Sequence, residues 1–326
     1  MIRLDRYNLI LKAAHLYYID NKTQAEISEI LRISRPTINK LLREARESGI
    51  VKITINNTRG GENFVERELE LREELGLREV MIVNPASTSQ KAIDLSIGEQ
   101  AANYLMSTLR SGATIGLSSG KTVLRMNEHL HSTGVLKNLS FIPLEGGIDT
   151  EDGNYSNILS NFLCEQMASL FKNSTIAMVL APLVAQSEEE AAILFRSKNI
   201  QRVFNRMEDM DIAIVGIDSD PENSTLLLLD RTLKEYRADM VKAGIVGNVC
   251  ARHYTEDGEL NVMDIERNII AIQPEGLQKI PLVLGIAGGV HKIRSIIGGA
   301  RAKLFNTLIT DIHTANAVSA RLKGTR

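Results

Sequence analysis

The chain has 326 residues, 44% hydrophobic and 24% charged with no Trp, enough for two domains with one substantial core and too long for a single DNA-binding module. Its two cysteines, Cys164 and Cys250, lie far apart, no apolar run approaches a membrane span and the start is no signal peptide, so a disulfide scaffold, a metal knuckle and a membrane protein are excluded and a cytoplasmic location is expected. The net charge of −2 is unevenly placed: residues 1–60 hold eleven Lys/Arg against six Asp/Glu, so a +5 segment precedes a −7 body and polyanion binding is confined to one end.

In chain order, Leu9, Ile10, Ala13, Leu16 and Tyr17 recur at helical spacing and predict a helix over Tyr7–Ile19. Thr23 is a good N-cap, and Glu26 completes a capping box for a second helix that buries Ala25, Ile27, Ile30 and Leu31. After a short turn at Arg32 and Ile33, Ser34 caps a third helix with Pro36 in its first turn and Ile38, Leu41, Leu42 and Ala45 inward. Arg35, Thr37, Asn39, Lys40 and Arg43 face outward, where they can reach base edges and phosphates; Thr23 and Gln24 join them as DNA-contact candidates. An ordinary hairpin with a solvated charged face would share the periodicity of either helix alone. Two caps, a short turn and an outward basic-polar face together favour a helix-turn-helix.

Gly49 fits a C′ position, and Ile50–Ile55 alternates as a strand, giving a winged-type domain. Asn56 to Gly61 has linker chemistry, and Glu62–Leu75 reads as a charge-rich helix. Its Phe64, Leu71 and Leu75 are spaced for a coiled-coil contact between subunits, and a solvated linker helix fits as well. The expected division is a helix-turn-helix domain over 1–57, a linker with this dimerisation helix over 58–78, and an effector-binding and oligomerisation domain over 79–326.

From residue 80 onward short β-type runs alternate with helical patterns. The runs are Val80–Val83, Thr114–Leu117, Leu139–Leu144, Ile176–Leu180, Asp211–Ile217, Pro281–Ile286 and Leu304–Thr310; Ile93–Leu109, Ile158–Phe171 and Val290–Ala302 are helical. Such alternation predicts an α/β domain with a mostly parallel sheet, whose ligands sit at the carboxyl ends of the strands.

Those ends carry glycine and small polar residues. Ser118, Ser119, Gly120, Lys121 and Thr122 follow the second run, but only three residues separate Gly116 from Gly120, where a Walker A loop needs four. ATP hydrolysis is therefore rejected, while amides, hydroxyls and a helix start still make an anion cradle. Glu145, Gly146 and Gly147 follow the third run, Asp218 the fifth, Gly288 and Gly289 the sixth with Lys292 one turn later, and Asp311 the last. Each loop alone is an ordinary turn. Gathered on one edge they form a pocket with two lysines for an anion and an Asp for hydroxyls, which suits a small phosphorylated polyol.

Tyr17-Tyr18, Thr23 to Ser28, Ser34 to Leu42, Gly49-Ile50-Val51, Ile97-Gly98, Gly116 to Thr122, Leu144 to Gly147, Ala181-Pro182, Val215 to Ile217, Gly244 to Gly247, Gly288 to Lys292 with Ile296, and Thr310-Asp311, by number and order, resemble the SorC family of bacterial sugar-responsive transcriptional regulators over almost the whole length. The resemblance implies an effector domain similar to sugar-phosphate isomerases and deaminases but used for binding, a tetramer (a dimer of dimers), operator DNA as a partner and a phosphorylated sugar as effector, with no cofactor, metal or catalytic residue. By position, Ser118 to Lys121 would lie at the sugar or phosphate, with Gly146, Gly147 and Lys292 around the same pocket. Asn248 stands where the family usually has an acidic residue, so the hydroxyl pattern read there differs. Two other classes remain: a sugar-phosphate enzyme with an accessory DNA module, using Asp218, Glu145 or Asp311 as base, and a constitutive DNA-binding protein with a purely oligomerising body.

Overall fold

The computed structural model describes residues 6–52, 64–132, 134–148 and 155–324. The chain divides into two compact units, Met1–Asn63 and Phe64–Arg326.

In the first unit, α1 (Arg6–Tyr18), α2 (Gln24–Leu31) and α3 (Arg35–Glu47) enclose a core of Ile10, Ala13, Ala14, Ile27, Ile38, Leu41, Leu42 and Ala45. Both caps form as the residue types dictate. The Thr23 hydroxyl accepts from the N–H of Glu26, whose carboxylate takes the Thr23 N–H in return, and the Ser34 hydroxyl accepts from the N–H of Thr37. Arg32 ends α2 in the left-handed region, and Gly49 follows α3 with φ +76°. Two expectations change: Ile30 is exposed rather than buried, and Tyr17 lies on the rim while Ala14 fills the core. Ile50 to Lys52 are irregular, and the rest of the expected wing strand lies outside the described residues.

The second unit begins with α4 (Val65–Leu75), β1 (Glu79–Val83), α5 (Gln90–Thr108), β2 (Thr114–Leu117), α6 (Lys121–His129), β3 (Ser140–Pro143), α7 (Ser160–Leu170) and β4 (Thr175–Ile176). It continues through α8 (Glu188–Arg196), α9 (Lys198–Met207), β5 (Ile212–Gly216) and three short helices, α10 (Thr225–Leu229), α11 (Arg231–Glu235) and α12 (Arg237–Lys242). The hairpin β6 (Ile245–Val249) and β7 (Arg252–Thr255) follows, then α13 (Pro274–Lys279), β8 (Leu282–Ile286), α14 (Ile293–Arg301), β9 (Thr307–Asp311) and α15 (Ile312–Gly324).

Seven strands pair in parallel in the order β1-β9-β8-β5-β2-β3-β4. Alternation along each strand feeds two cores: in β5, Ala213 and Val215 face one side while Ile212 and Ile214 face the other. From β2 the chain winds outward through β3 to β4, then returns to β5 and winds the opposite way through β8 and β9. Strand order therefore reverses between β2 and β5, where the loops that follow them part and leave a crevice.

Three details differ from the sequence reading. Phe64, Leu71 and Leu75 pack into this unit's own core, Leu71 being fully buried, so the seam expected for a partner or for solvent is occupied from within. The fourth run is a strand only over Thr175–Ile176; Ala177 still donates to Phe141, and the backbone of Val179 bonds to the Asn161 amide instead of a strand. The β6–β7 hairpin was not expected. Its turn is made by Cys250 and Ala251, both with positive φ, where an Asn-Gly pair is the usual signal.

Candidate functional site

On α3 the exposed side chains of Arg35, Thr37, Asn39, Lys40 and Arg43 share the surface opposite Ile38, Leu41, Leu42 and Ala45. Among the described residues no hydrogen bond or ion pair holds Arg35 or Asn39, and Lys40 is engaged only by the charge of Glu44, whereas Arg43 lies 3.7 Å from Glu47 and Thr37 Oγ1 shares a hydrogen bond with Ser34 at 2.8 Å. Thr23 donates its hydroxyl to Glu26 and Gln24 is half-buried, so these two act first as the start of α2. A capped helix with short polar groups in its first turn and cations behind them is the shape and chemistry of a major-groove reader.

In the second unit a cavity of about 210 Å³ opens at the β2/β5 divergence. Ser119, Gly120, Lys121, Thr122, Glu145, Asp218, Asn248 and Lys292 line it. Five other residues singled out in the sequence stand behind its walls with structural work, and Gly288 is a sixth outside the lining. Ser118 Oγ accepts the Gly216 N–H at 2.9 Å and so ties the two diverging loops together. Gly146 and Gly147 pass so close to Ala181 and Pro182 that a Cβ on Gly146 would sit 2.5 Å from the Pro182 oxygen. Asp311 caps α15, accepting from the N–H groups of Gly289, His313 and Thr314 and from the Thr314 hydroxyl. Gly289, at φ +104°, is thereby committed.

The loop after β2 delivers the start of α6 to the cavity. Gly120 N–H donates to Ile158, and within the described residues the N–H groups of Lys121 and Thr122 and the Lys121 ammonium have no partner. Free amides at a helix start beside a free cation form an anion seat. Beneath it, Ser119 N–H donates to Glu145 Oε1 at 2.6 Å. Burial pushes the Glu145 carboxyl above the usual glutamate range; the hydrogen bonds from Ser119 oppose this and the Asp218 charge adds to it.

Asp218 has the opposite balance. Burial alone would raise its pKa, but Lys292, the Ser224 hydroxyl and the N–H groups of Leu226 and Ser219 outweigh it and hold the carboxyl below its ordinary value. The carboxylate anchors the 219–226 loop, and Lys292 Nζ sits 2.7 Å from the Ile217 carbonyl and 3.4 Å from Asp218 Oδ1. Lys292 is thus neutralised from within, in contrast to its expected role as a free anion partner.

Gln90, Asp94, Asn223, Cys250 and His291 also line the cavity and were not found from the sequence. Gln90 and Asp94 form an i,i+4 pair at 2.9 Å, a visible signal, but only the packing of α5 on α6 turns that pair towards the cavity.

Residues 61–319 match the family described as "Putative sugar-binding domain". The full-length sorbitol operon regulator SorC of Klebsiella pneumoniae superposes with a TM-score of 0.71 at 27% identity, over 96% of this chain and 99% of that one. The chain belongs to the SorC family of sugar-binding transcriptional regulators. Within this SorC-family likeness, the transcriptional regulator LsrR of an Enterobacter strain is 28% identical over 98% of this chain and 95% of its own length. The deoxyribonucleoside regulator of Bacillus subtilis is 27% identical over 96% and 98%. The match spans both units, so the helix-turn-helix and the cavity belong to one regulatory architecture. No described helix is long and apolar enough to cross a membrane.

Proposed function

We propose that this SorC-family protein controls a carbohydrate operon from the cytoplasm and that a phosphorylated sugar or polyol, seated in the β2/β5 cavity, sets its affinity for operator DNA. The observation that carries this reading is the partnerless start of α6 with Lys121 at the mouth of a polar cavity. Two of the three candidate bases fit binding without turnover: Asp218 and Asp311 are saturated by donors of the chain itself, which leaves neither free as a general base, and the third, Glu145, is engaged by Ser119. The +5 N-terminal segment is modest for one head at physiological salt. A tetramer of paired heads would supply the missing affinity, and the effector would act by favouring one quaternary arrangement over another.

A thermal-shift screen of sugar phosphates, followed by a gel shift on the DNA upstream of the protein's own gene, tests this. A ligand that raises the melting point and changes operator affinity is expected. Turnover of a sugar phosphate, or no stabilisation by any of them, would overturn it.

A further inference from the structure

Helix α8 turns one side to its own unit. Ala191 is buried there, Leu194 and Phe195 pack on the same core, and the Phe195 ring meets Phe204 of α9 edge-on at 5.1 Å. On the outer side Glu189, Ala192, Ile193 and Arg196 recur at i, i+3, i+4 and i+7, the spacing by which one helix lies along another. Ala192 is half-buried, Glu189 and Arg196 are exposed, and Ile193 is 66% exposed.

The chain uses the neighbouring charges and leaves these two. Ser187 caps α8 by accepting the Glu190 N–H at 3.1 Å, the Glu190 carboxylate accepts the Gln186 N–H at 2.6 Å, and Glu188 lies 3.4 Å from Arg267. Among the described residues the Glu189 carboxylate has no hydrogen bond or ion pair, and the Arg196 side chain bonds only to the Ala192 carbonyl of its own helix, at 3.2 Å. An acid in the first turn and a base in the last suit the dipole of any helix, and a single exposed isoleucine is ordinary. Neither accounts for the order of the four residues. Ala192 and Ile193 stand midway between Glu189 and Arg196. A two-fold axis passing between them lays Glu189 against Arg196 of the partner subunit and Ile193 over Ala192 of the partner subunit, and repeats both contacts on its other side.

We propose that the outer face of α8 is a self-complementary contact between two copies of this chain, packed antiparallel, apolar at its centre and ion-paired at both ends. This rests on the oligomer invoked in the proposed function and assigns it a surface. The small side chain of Ala192 leaves room for the isoleucine of the other copy, so the centre sheds water while the charges stay at the rim. The charges also fix the direction, since parallel packing would set Glu189 against Glu189 and Arg196 against Arg196. Antiparallel packing opposes the two helix dipoles as well.

Sedimentation velocity of the full chain over a concentration series decides it. Glu189→Arg and Arg196→Glu each put like charges together at both ends, and each should weaken self-association at least tenfold. The chain carrying both reversals again has opposite charges at both ends and should associate as wild type does. Unchanged association in either single variant, or loss in both without recovery in the double variant, would overturn the α8 contact and leave the oligomer standing. A wild type that sediments as a monomer at every concentration would overturn the oligomer itself. Should a reversed chain fail to fold, Ile193→Ser decides in the same assay: association weakened at least tenfold is expected, and unchanged association would overturn the contact.

Discussion

The backbone N–H of Ser119, at the end of β2, points at Oε1 of Glu145 at 2.6 Å, at the end of β3. This one bond joins the floor of the cavity to the loop that presents the anion seat, and it belongs to a carboxyl whose pKa is raised by burial. The folded protein therefore keeps a proton over a range in which the unfolded chain has released it. Stability from that difference is complete below the ordinary glutamate value of 4.5 and is lost as pH rises through the raised one. Glu145→Gln keeps an acceptor for Ser119 and removes the titration. Melting curves should show wild type losing Tm relative to the variant as pH rises from 4.5 towards neutrality.

Asp218 should behave in the opposite sense, because its pKa is held below the ordinary value of 3.8. Its contribution is complete above that value and is lost as pH falls through the lowered one. Asp218→Asn should therefore be less stable than wild type at neutral pH, and the gap should narrow in acid, as measured by Tm against pH.

Lys121 and Lys292 separate binding from stability. Lys121→Ala should abolish the effector response and leave DNA binding and Tm near wild type, since no partner in the described chain is lost. Lys292→Ala strips the counter-charge from a mostly buried Asp218, a change of the kind that costs roughly 3–5 kcal/mol when fully buried and somewhat less here. A large fall in Tm for Lys292→Ala alone is the expected result, read by denaturation without ligand.

On α3, Arg35→Ala and Asn39→Ala should each cost about 1–3 kcal/mol on the cognate operator and relax discrimination. Lys40→Ala should weaken binding to all sequences and lower the salt slope by about 1. Anisotropy titrations on cognate and scrambled DNA across salt concentrations distinguish the two patterns.

Leu71 on α4 is fully buried while Leu69 is 47% exposed. Leu71→Ala should cost about 2–5 kcal/mol, and Leu69→Ala should stay within about 0.5 kcal/mol. Equal effects in urea melts would contradict the packing of α4 on its own unit.

The strands β1, β2, β5, β8 and β9 were legible to within a few residues because buried parallel strands read as continuous apolar runs between turn signals. The capped helices were equally plain, since Thr23, Glu26 and Ser34 advertise their bonds locally. The hairpin of Ile245 to Thr255 was not, because Cys250 and Ala251 adopt left-handed backbone without glycine or asparagine. Of the loops, residues 119–122, 145, 218 and 292 reach the cavity, while 146, 147, 289 and 311 hold neighbouring backbone. The difference lies in strand order, and no local pattern states that β2 and β5 are the pair that diverges. The same holds for α4, whose apolar positions fit a partner, solvent or its own core until the sheet is in place.

The affinity for the protein's own upstream DNA, measured with and without a saturating phosphorylated sugar for wild type and Lys121→Ala, tests the effector coupling most directly. At least a tenfold change in wild type and none in Lys121→Ala is predicted. An equal change in both, or no change in wild type, would contradict the coupling of the α6 seat to the DNA-reading helices.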